Sequence, residues 1–228
     1  MVLMLLLMRS KQTTYSAFVF DLDGTLVDSR PAIEKAAQLA FSSVAPAYKG
    51  RCITTAIGPP IRTMFQQVVK ELDSATLDRL VTAFRTAYDA EACLETPVYA
   101  GVPEMLSRIS ARGAASYVLT NKPWTPTRRI LEHLGLDQYL REVLTPDAPS
   151  TPFSSKTEAL LSFLKRHHQI AKTDVVMVGD SYDDALAAST CGVTFAAAFY
   201  GYGGLNRIAD RKNWLIIEGP QDILSYLS

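Results

Sequence analysis

Asp21 and Asp23 stand two residues apart behind the apolar run Ser-Ala-Phe-Val-Phe (Ser16–Phe20), and Gly24 and Thr25 follow at once. Aromatic and β-branched residues without a breaker suit a buried strand. Both carboxylates therefore fall at the carboxyl end of that strand, which is where ligands bind in open α/β sheets. Two acids so close repel, and a bound divalent cation is the usual way to keep both ionised. A polar turn ending a strand accounts for Asp-x-Asp-Gly equally well. The longer string Asp-x-Asp-Gly-Thr is expected by chance on the order of 0.001 times in a chain of this length.

Other polar groups follow apolar runs in the same way. Thr120 and Asn121 follow Ser116–Leu119, and Val175–Val178 runs into Gly179-Asp180-Ser181-Tyr182-Asp183-Asp184. In a parallel sheet such ends share one edge, and Lys156, first in its helix after a proline-rich loop, is placed to reach it. A hard cation would take oxygens from Asp21, Asp180 and a backbone carbonyl, while Thr120 and Lys156 would hold an anion. This set suits phosphoryl chemistry. Mg²⁺ neutralises phosphate and acids together, and a carboxylate can then attack phosphorus. A second carboxylate two residues on can protonate the leaving oxygen and then activate water. Singly, the residues have plainer readings: Asp183 and Asp184 both favour a helix dipole, Lys156 a solvated helix start, and Asn121 a turn.

The elements that must position these groups follow from hydrophobic period. Ile33, Ala36, Ala37, Ala40, Phe41 and Val44 mark a helix opened by Ser29 and Pro31. Gly58-Pro59-Pro60 breaks the chain before a second helix (Ile61, Met64, Phe65, Val68), and Asp73 or Ser74 caps a third (Leu77, Leu80, Phe84, Tyr88). Residues 29–96 thus read as an all-helical insertion. From residue 97 helices alternate with short apolar strands at Ser116–Leu119, Glu142–Leu144, Val175–Val178, Val193–Phe199 and Trp214–Ile217. That pattern predicts an α/β fold, a Rossmann-like, mostly parallel sheet with helices on both faces. Its core comprises residues 15–28 and 97–228, interrupted just after the first strand. The insertion leaves from next to the two acids, where it could act as a lid.

The 228 residues can bury a full core, and their 48% hydrophobic and 20% charged content is that of an ordinary globular protein. Lys plus Arg equals Asp plus Glu at 23 each, so no global field draws nucleic acid or an anionic membrane. Cys52, Cys93 and Cys191 have no zinc spacing and read as buried thiols of a reducing compartment. Met1–Met8 is apolar but too short to span a bilayer and lacks a basic start and a cleavage site; residues 1–14 read as a tail. A cytoplasmic monomer or homodimer, without nucleic-acid or membrane partners, is the expectation.

Asp21-Leu-Asp-Gly-Thr, Thr120-Asn121, Lys156 and Gly179-Asp180-Ser-Tyr-Asp-Asp184 resemble, in order and spacing, the four motifs of the haloacid dehalogenase-like superfamily. The resemblance covers nearly all of the chain from residue 15, and the insertion lies where that superfamily's first class of cap domain lies. It implies Asp21 as nucleophile and Asp23 as general acid and base. It implies Thr120, Asn121 and Lys156 as ligands of phosphate, with Lys156 also orienting the aspartyl-phosphate. Mg²⁺ would be held by Asp21, the Asp23 carbonyl and Asp180, with Thr25 and Asp184 in support.

Relatives that dehalogenate or cleave carbon–phosphorus bonds lack an acid at the position of Asp23, so its presence favours phosphate transfer. Sugar-phosphate mutases usually carry a cap histidine soon after the first motif, and none lies between Asp28 and His133. Gly58-Pro59-Pro60, Tyr99-Ala-Gly101-Val-Pro103 and Tyr200-Gly-Tyr-Gly203 look like the phosphoglycolate-phosphatase group, which includes pyrophosphatases and nucleotidases. The resemblance therefore implies hydrolysis of a small phosphorylated metabolite. The alternatives are pyrophosphatase or nucleotidase activity, a sugar-phosphate mutase, and an idle phosphate-binding regulator. Arg62 reads as a solvated helix residue, or as a contact for a substrate anion.

Overall fold

The computed structural model describes residues 15–227 except 55, 56, 58, 149, 150, 209 and 210. The tail and Gly58 of the Gly-Pro-Pro turn lie outside the described residues. Six strands form one sheet: β1 (Ala17–Phe20), β2 (Ala115–Leu119), β3 (Leu140–Leu144), β4 (Val175–Gly179), β5 (Thr194–Ala198) and β6 (Trp214–Ile217). Their order is β3-β2-β1-β4-β5-β6, and every pairing is parallel. The strand that ends in Asp21 is thus central, between β2 and β4.

The central strands are buried along their whole length because both of their faces are covered. Phe18, Phe20, Val118, Val176 and Val178 point into one core, shared with α4 (Val102–Ala111) and α5 (Trp124–His133). Ala17, Val19, Tyr117, Leu119 and Met177 point into the other, shared with α6 (Lys156–Arg166) and α7 (Tyr182–Cys191). Edge strand β3 is half-buried. Exposed Arg141 breaks the apolar pattern after Leu140, so β3 runs two residues longer than Glu142–Leu144.

The insertion contains α1 (Arg30–Val44), α2 (Ile61–Val68) and α3 (Ser74–Ala90). A row of rings joins them: Phe41 to Phe65 (5.3 Å), Phe65 to Phe84 (6.1 Å) and Phe84 to Tyr88 (5.3 Å). The two connections to the sheet run side by side. Asp28 N–H donates to the Pro97 carbonyl (2.9 Å) and Tyr99 N–H to that of Leu26 (3.1 Å). Both chain crossings therefore sit a few residues from Asp23. Cys93 and Cys191 are buried, but Cys52 is exposed, because it lies in the irregular stretch after α1 rather than on its apolar face. Among the described residues no helix is long and apolar enough to cross a membrane.

Candidate active site

The register pairs Phe20 with Val178, so the residues that follow these two strands emerge together. Asp21 N–H donates to the Val178 carbonyl (2.8 Å), and Asp180 follows one residue beyond Gly179. Asp184 reaches the same point from the first turn of α7. Ser181 caps that helix, and the Asp184 carboxylate returns to Ser181 N–H (3.1 Å) and Oγ (2.6 Å). One oxygen from each of Asp21, Asp180 and Asp184 lies within 4.8 Å of the others, and all three residues are buried. Lys156, at the start of α6, places its Nζ 2.8 Å from Asp21 Oδ1 and 2.7 Å from Asp184 Oδ1.

One ammonium cannot balance three buried carboxylates. Burial pushes the Asp21 carboxyl well above the ordinary carboxylate range against the pull of Lys156, with Asp184 and Asp180 adding to the rise. Burial, then repulsion from Asp184, pushes Asp180 up to about 7. It does so although the N–H groups of Gly203 (2.7 Å) and Tyr202 (2.9 Å) donate to Asp180 Oδ2. Burial opposes the charge on Lys156, but the carboxylates of Asp184 and Asp21 outweigh it and the pKa is raised. Excess negative charge on an oxygen-only donor set fits a hard divalent cation such as Mg²⁺.

The cluster leaves no room beside Asp180. Gly24 has φ +84°, and a Cβ there would lie 2.0 Å from Asp180 Oδ2. Gly24→Ala is therefore expected to strain the turn and displace that carboxylate. The expected cost is about 10²-fold in turnover, the scale of a 1 Å misplacement, together with a lower melting temperature. Steady-state rates and thermal unfolding of the variant check this.

Asp23 lies farther out and is turned to a different partner. Both of its oxygens sit 2.9 Å from the Nζ of Lys122, whose side chain is 6% exposed against 22% for Asp23. Thr120 is buried at the end of β2, and its Oγ1 accepts the Lys122 N–H (3.1 Å). Asn121 is exposed. Thr25 is buried with no hydrogen-bond partner for Oγ1, while its carbonyl accepts from the Tyr200 hydroxyl (2.7 Å). Asp183 is exposed in the first turn of α7. Arg62 donates to Asp78 and to Ser74 Oγ (3.1 Å), so it is engaged within the insertion.

The structure thus joins Asp21, Asp180, Asp184 and Lys156 directly, with Asp23 and Thr120 on the same edge. Sequence reasoning missed Lys122 and the two amides on Asp180. The run Thr-Asn-Lys-Pro did carry a signal, since it puts a cation at a strand end that already held polar groups.

Over residues 18–198 the chain matches the haloacid dehalogenase-like hydrolases. It is 30% identical over 197 residues to a 5′-nucleotidase of Pseudomonas aeruginosa, covering 86% of this chain and 88% of that protein. To a phosphoglycolate phosphatase of Photobacterium profundum it is 31% identical over 194 residues, covering 81% and 84%. A haloacid dehalogenase-like hydrolase of Streptococcus pneumoniae superposes with a TM-score of 0.78 at 24% identity, covering 93% of this chain and 98% of that one, a likeness of fold. The chain belongs to the haloacid dehalogenase-like hydrolase family, as a phosphatase-like member.

Proposed function

We propose that the protein is a Mg²⁺-dependent phosphomonoesterase that hydrolyses a small phosphorylated metabolite through an aspartyl-phosphate on Asp21. The observation that carries this reading is the buried Asp21 carboxylate, paired with Lys156 and flanked by Asp180 and Asp184. In the reaction, a carboxylate oxygen of Asp21 forms a bond to phosphorus as the ester P–O bond breaks. Asp23 gives its proton to the departing oxygen, then takes one from the water that attacks the aspartyl-phosphate. Inorganic phosphate leaves and the Asp21 carboxylate is restored. Lys156 and Thr120 bind the phosphoryl oxygens, and Lys156 holds Asp21 in line. Mg²⁺, held by Asp21, the Asp23 carbonyl and Asp180 with Asp184 behind them, would screen the charge that otherwise keeps a phosphate away. The helical insertion serves as a cap over the strand ends.

Relatives named for phosphoglycolate and for 5′-nucleotides support an alkyl phosphomonoester. A phosphoglycolate-like acid is the first candidate and a nucleoside monophosphate the second. Phosphate release from 2-phosphoglycolate, nucleoside monophosphates, sugar phosphates, pyrophosphate and p-nitrophenyl phosphate, with Mg²⁺ and with chelator, tests the reading. Mg²⁺-dependent release from at least one phosphomonoester is expected. Silence across the panel from folded protein would sink it, and a β-glucose 1-phosphate isomerisation assay would then separate a mutase from an idle regulator.

A further inference from the structure

We propose that Lys122 is the positioning residue for Asp23, and that Tyr88 of the helical insertion seats it there. This rests on the reading of Asp23 as acid and base. The Lys122 side chain is almost entirely out of solvent, and one ammonium bridges both oxygens of one carboxylate at 2.9 Å. Two charge-assisted bonds from a single point fix the rotation of that carboxylate as well as its place.

The backbone of Lys122 is fixed by Thr120 Oγ1, and its ammonium is closed over by the ring of Tyr88, 4.9 Å from Nζ to the centroid. Tyr88 is 3% exposed and meets the ammonium with the face of its ring. That ring stacks on Phe84 (5.3 Å, interplanar angle 10°) at the end of the aromatic row through α2 and α3. The lysine that orients Asp23 is therefore covered by a contact that exists only while the insertion is seated on the sheet. Lys156 serves Asp21 and Asp184 instead, so the two buried lysines have separate tasks.

Assistance from Asp23 matters in proportion to the basicity of the leaving oxygen. An alkyl phosphate must expel a strongly basic alkoxide, whereas p-nitrophenolate departs with little help. Loss of a residue that orients Asp23 should thus lower kcat/KM, which ends at transfer to Asp21, selectively for alkyl phosphates, whereas kcat falls on every substrate because the later attack of water also uses Asp23. Loss of a residue that binds phosphate should damage all substrates alike.

The test is kcat and KM for 2-phosphoglycolate, adenosine 5′-monophosphate and p-nitrophenyl phosphate with Mg²⁺, in wild type, Lys122→Met, Tyr88→Leu, Asp23→Asn and the Lys122→Met/Asp23→Asn double variant. Lys122→Met is expected to lower kcat/KM about 10²-fold on the alkyl phosphate and less than about 5-fold on p-nitrophenyl phosphate. Asp23→Asn should show the same pattern, and the double variant should be no worse than Asp23→Asn. Tyr88→Leu should move the ratio in the same direction by about 10-fold, which keeps the idea testable should Lys122→Met fold poorly. Because both rates come from one preparation, a partly unfolded fraction cancels in their ratio. An equal loss of kcat/KM on all substrates would make Lys122 a phosphate ligand and overturn the proposal. So would an unchanged ratio in folded Lys122→Met beside an altered one in Asp23→Asn, with the phosphatase reading left intact. Wild-type silence on these three and on the sugar phosphates and pyrophosphate of the wider panel would instead remove that reading and this proposal with it.

Discussion

Asp21→Asn is expected to lower phosphate release by at least about 10⁴-fold, while the melting temperature of the metal-free protein stays unchanged or rises. The two halves of this result have one cause. Asp21 is buried beside Asp180 and Asp184 and shares Lys156 with Asp184. Burial holds its pKa well above the ordinary range, so keeping it ionised at neutral pH costs folding free energy. Asparagine has nearly the same shape, keeps an oxygen for Lys156 to donate to, and carries no charge to desolvate. Lys156 retains Asp184 as its counter-ion, so no buried ammonium is stranded. What asparagine cannot do is form an acyl phosphate, and no neighbour can replace it: Asp184 is locked to Ser181 and Lys156, and Asp180 to two backbone amides. Paired measurements of turnover and thermal unfolding check the prediction. Retention of more than a hundredth of wild-type activity would rule out Asp21 as nucleophile.

Those locks also show why only part of the site was legible in the sequence. Strand ends can be read from chain pattern because an apolar run that stops at acids and glycine marks where a buried backbone leaves the sheet. Asp21, Thr120, Asp180 and Asp184 are found in this way, with Lys156 added by its order among them. The parallel sheet was legible for a related reason: Phe18, Val118 and Val176 stand in short, mostly apolar strands of the kind a doubly covered sheet requires.

Lys122 was not legible as the partner of Asp23, because the two lie 99 residues apart and meet only through the sheet order. Tyr88 fits its helical stripe as a core residue, and nothing in a 3.6-residue period reveals that its ring faces a lysine on another element. The amides of Tyr202 and Gly203 carry no side-chain signature at all. Their role follows from the loop after β5, where a Cβ on Gly203 would meet the Asp180 carbonyl at 2.2 Å. Edge strand β3 was cut short because exposed Arg141 hides the start of a strand that backbone pairing to β2 alone defines.

Raising the pH from about 5 to 8 is expected to destabilise the metal-free protein, and Mg²⁺ to restore it mainly at the upper end. Asp180 has a folded-state pKa of about 7, above its ordinary value of 3.8, and Asp21 is shifted in the same direction. Between those two values the folded state holds a proton that the unfolded state has released. The resulting stabilisation is complete below about pH 4 and is lost as pH rises through 7. At 1.36 kcal/mol per unit the Asp180 contribution is about 2–4 kcal/mol, or roughly 5–10 °C in a protein of this size. Asp28, Asp73 and Glu158, whose pKa values are lowered by hydrogen bonds from Arg30, Thr76 and Ser154, work in the opposite sense but only at lower pH. Mg²⁺ takes the deprotonated carboxylates, so its binding releases protons and strengthens as pH rises. At one hundred times its dissociation constant it would add about 2.7 kcal/mol, enough to offset most of the alkaline loss. Thermal unfolding at pH 5, 6, 7 and 8, with Mg²⁺ and with chelator, should therefore show two curves that meet in acid and separate above pH 6. In Asp180→Asn both the slope of the chelated curve and the Mg²⁺ shift should shrink. Parallel curves, with the same Mg²⁺ shift at pH 5 as at pH 8, would mean that the cation binds elsewhere and that Asp180 is not one of its ligands.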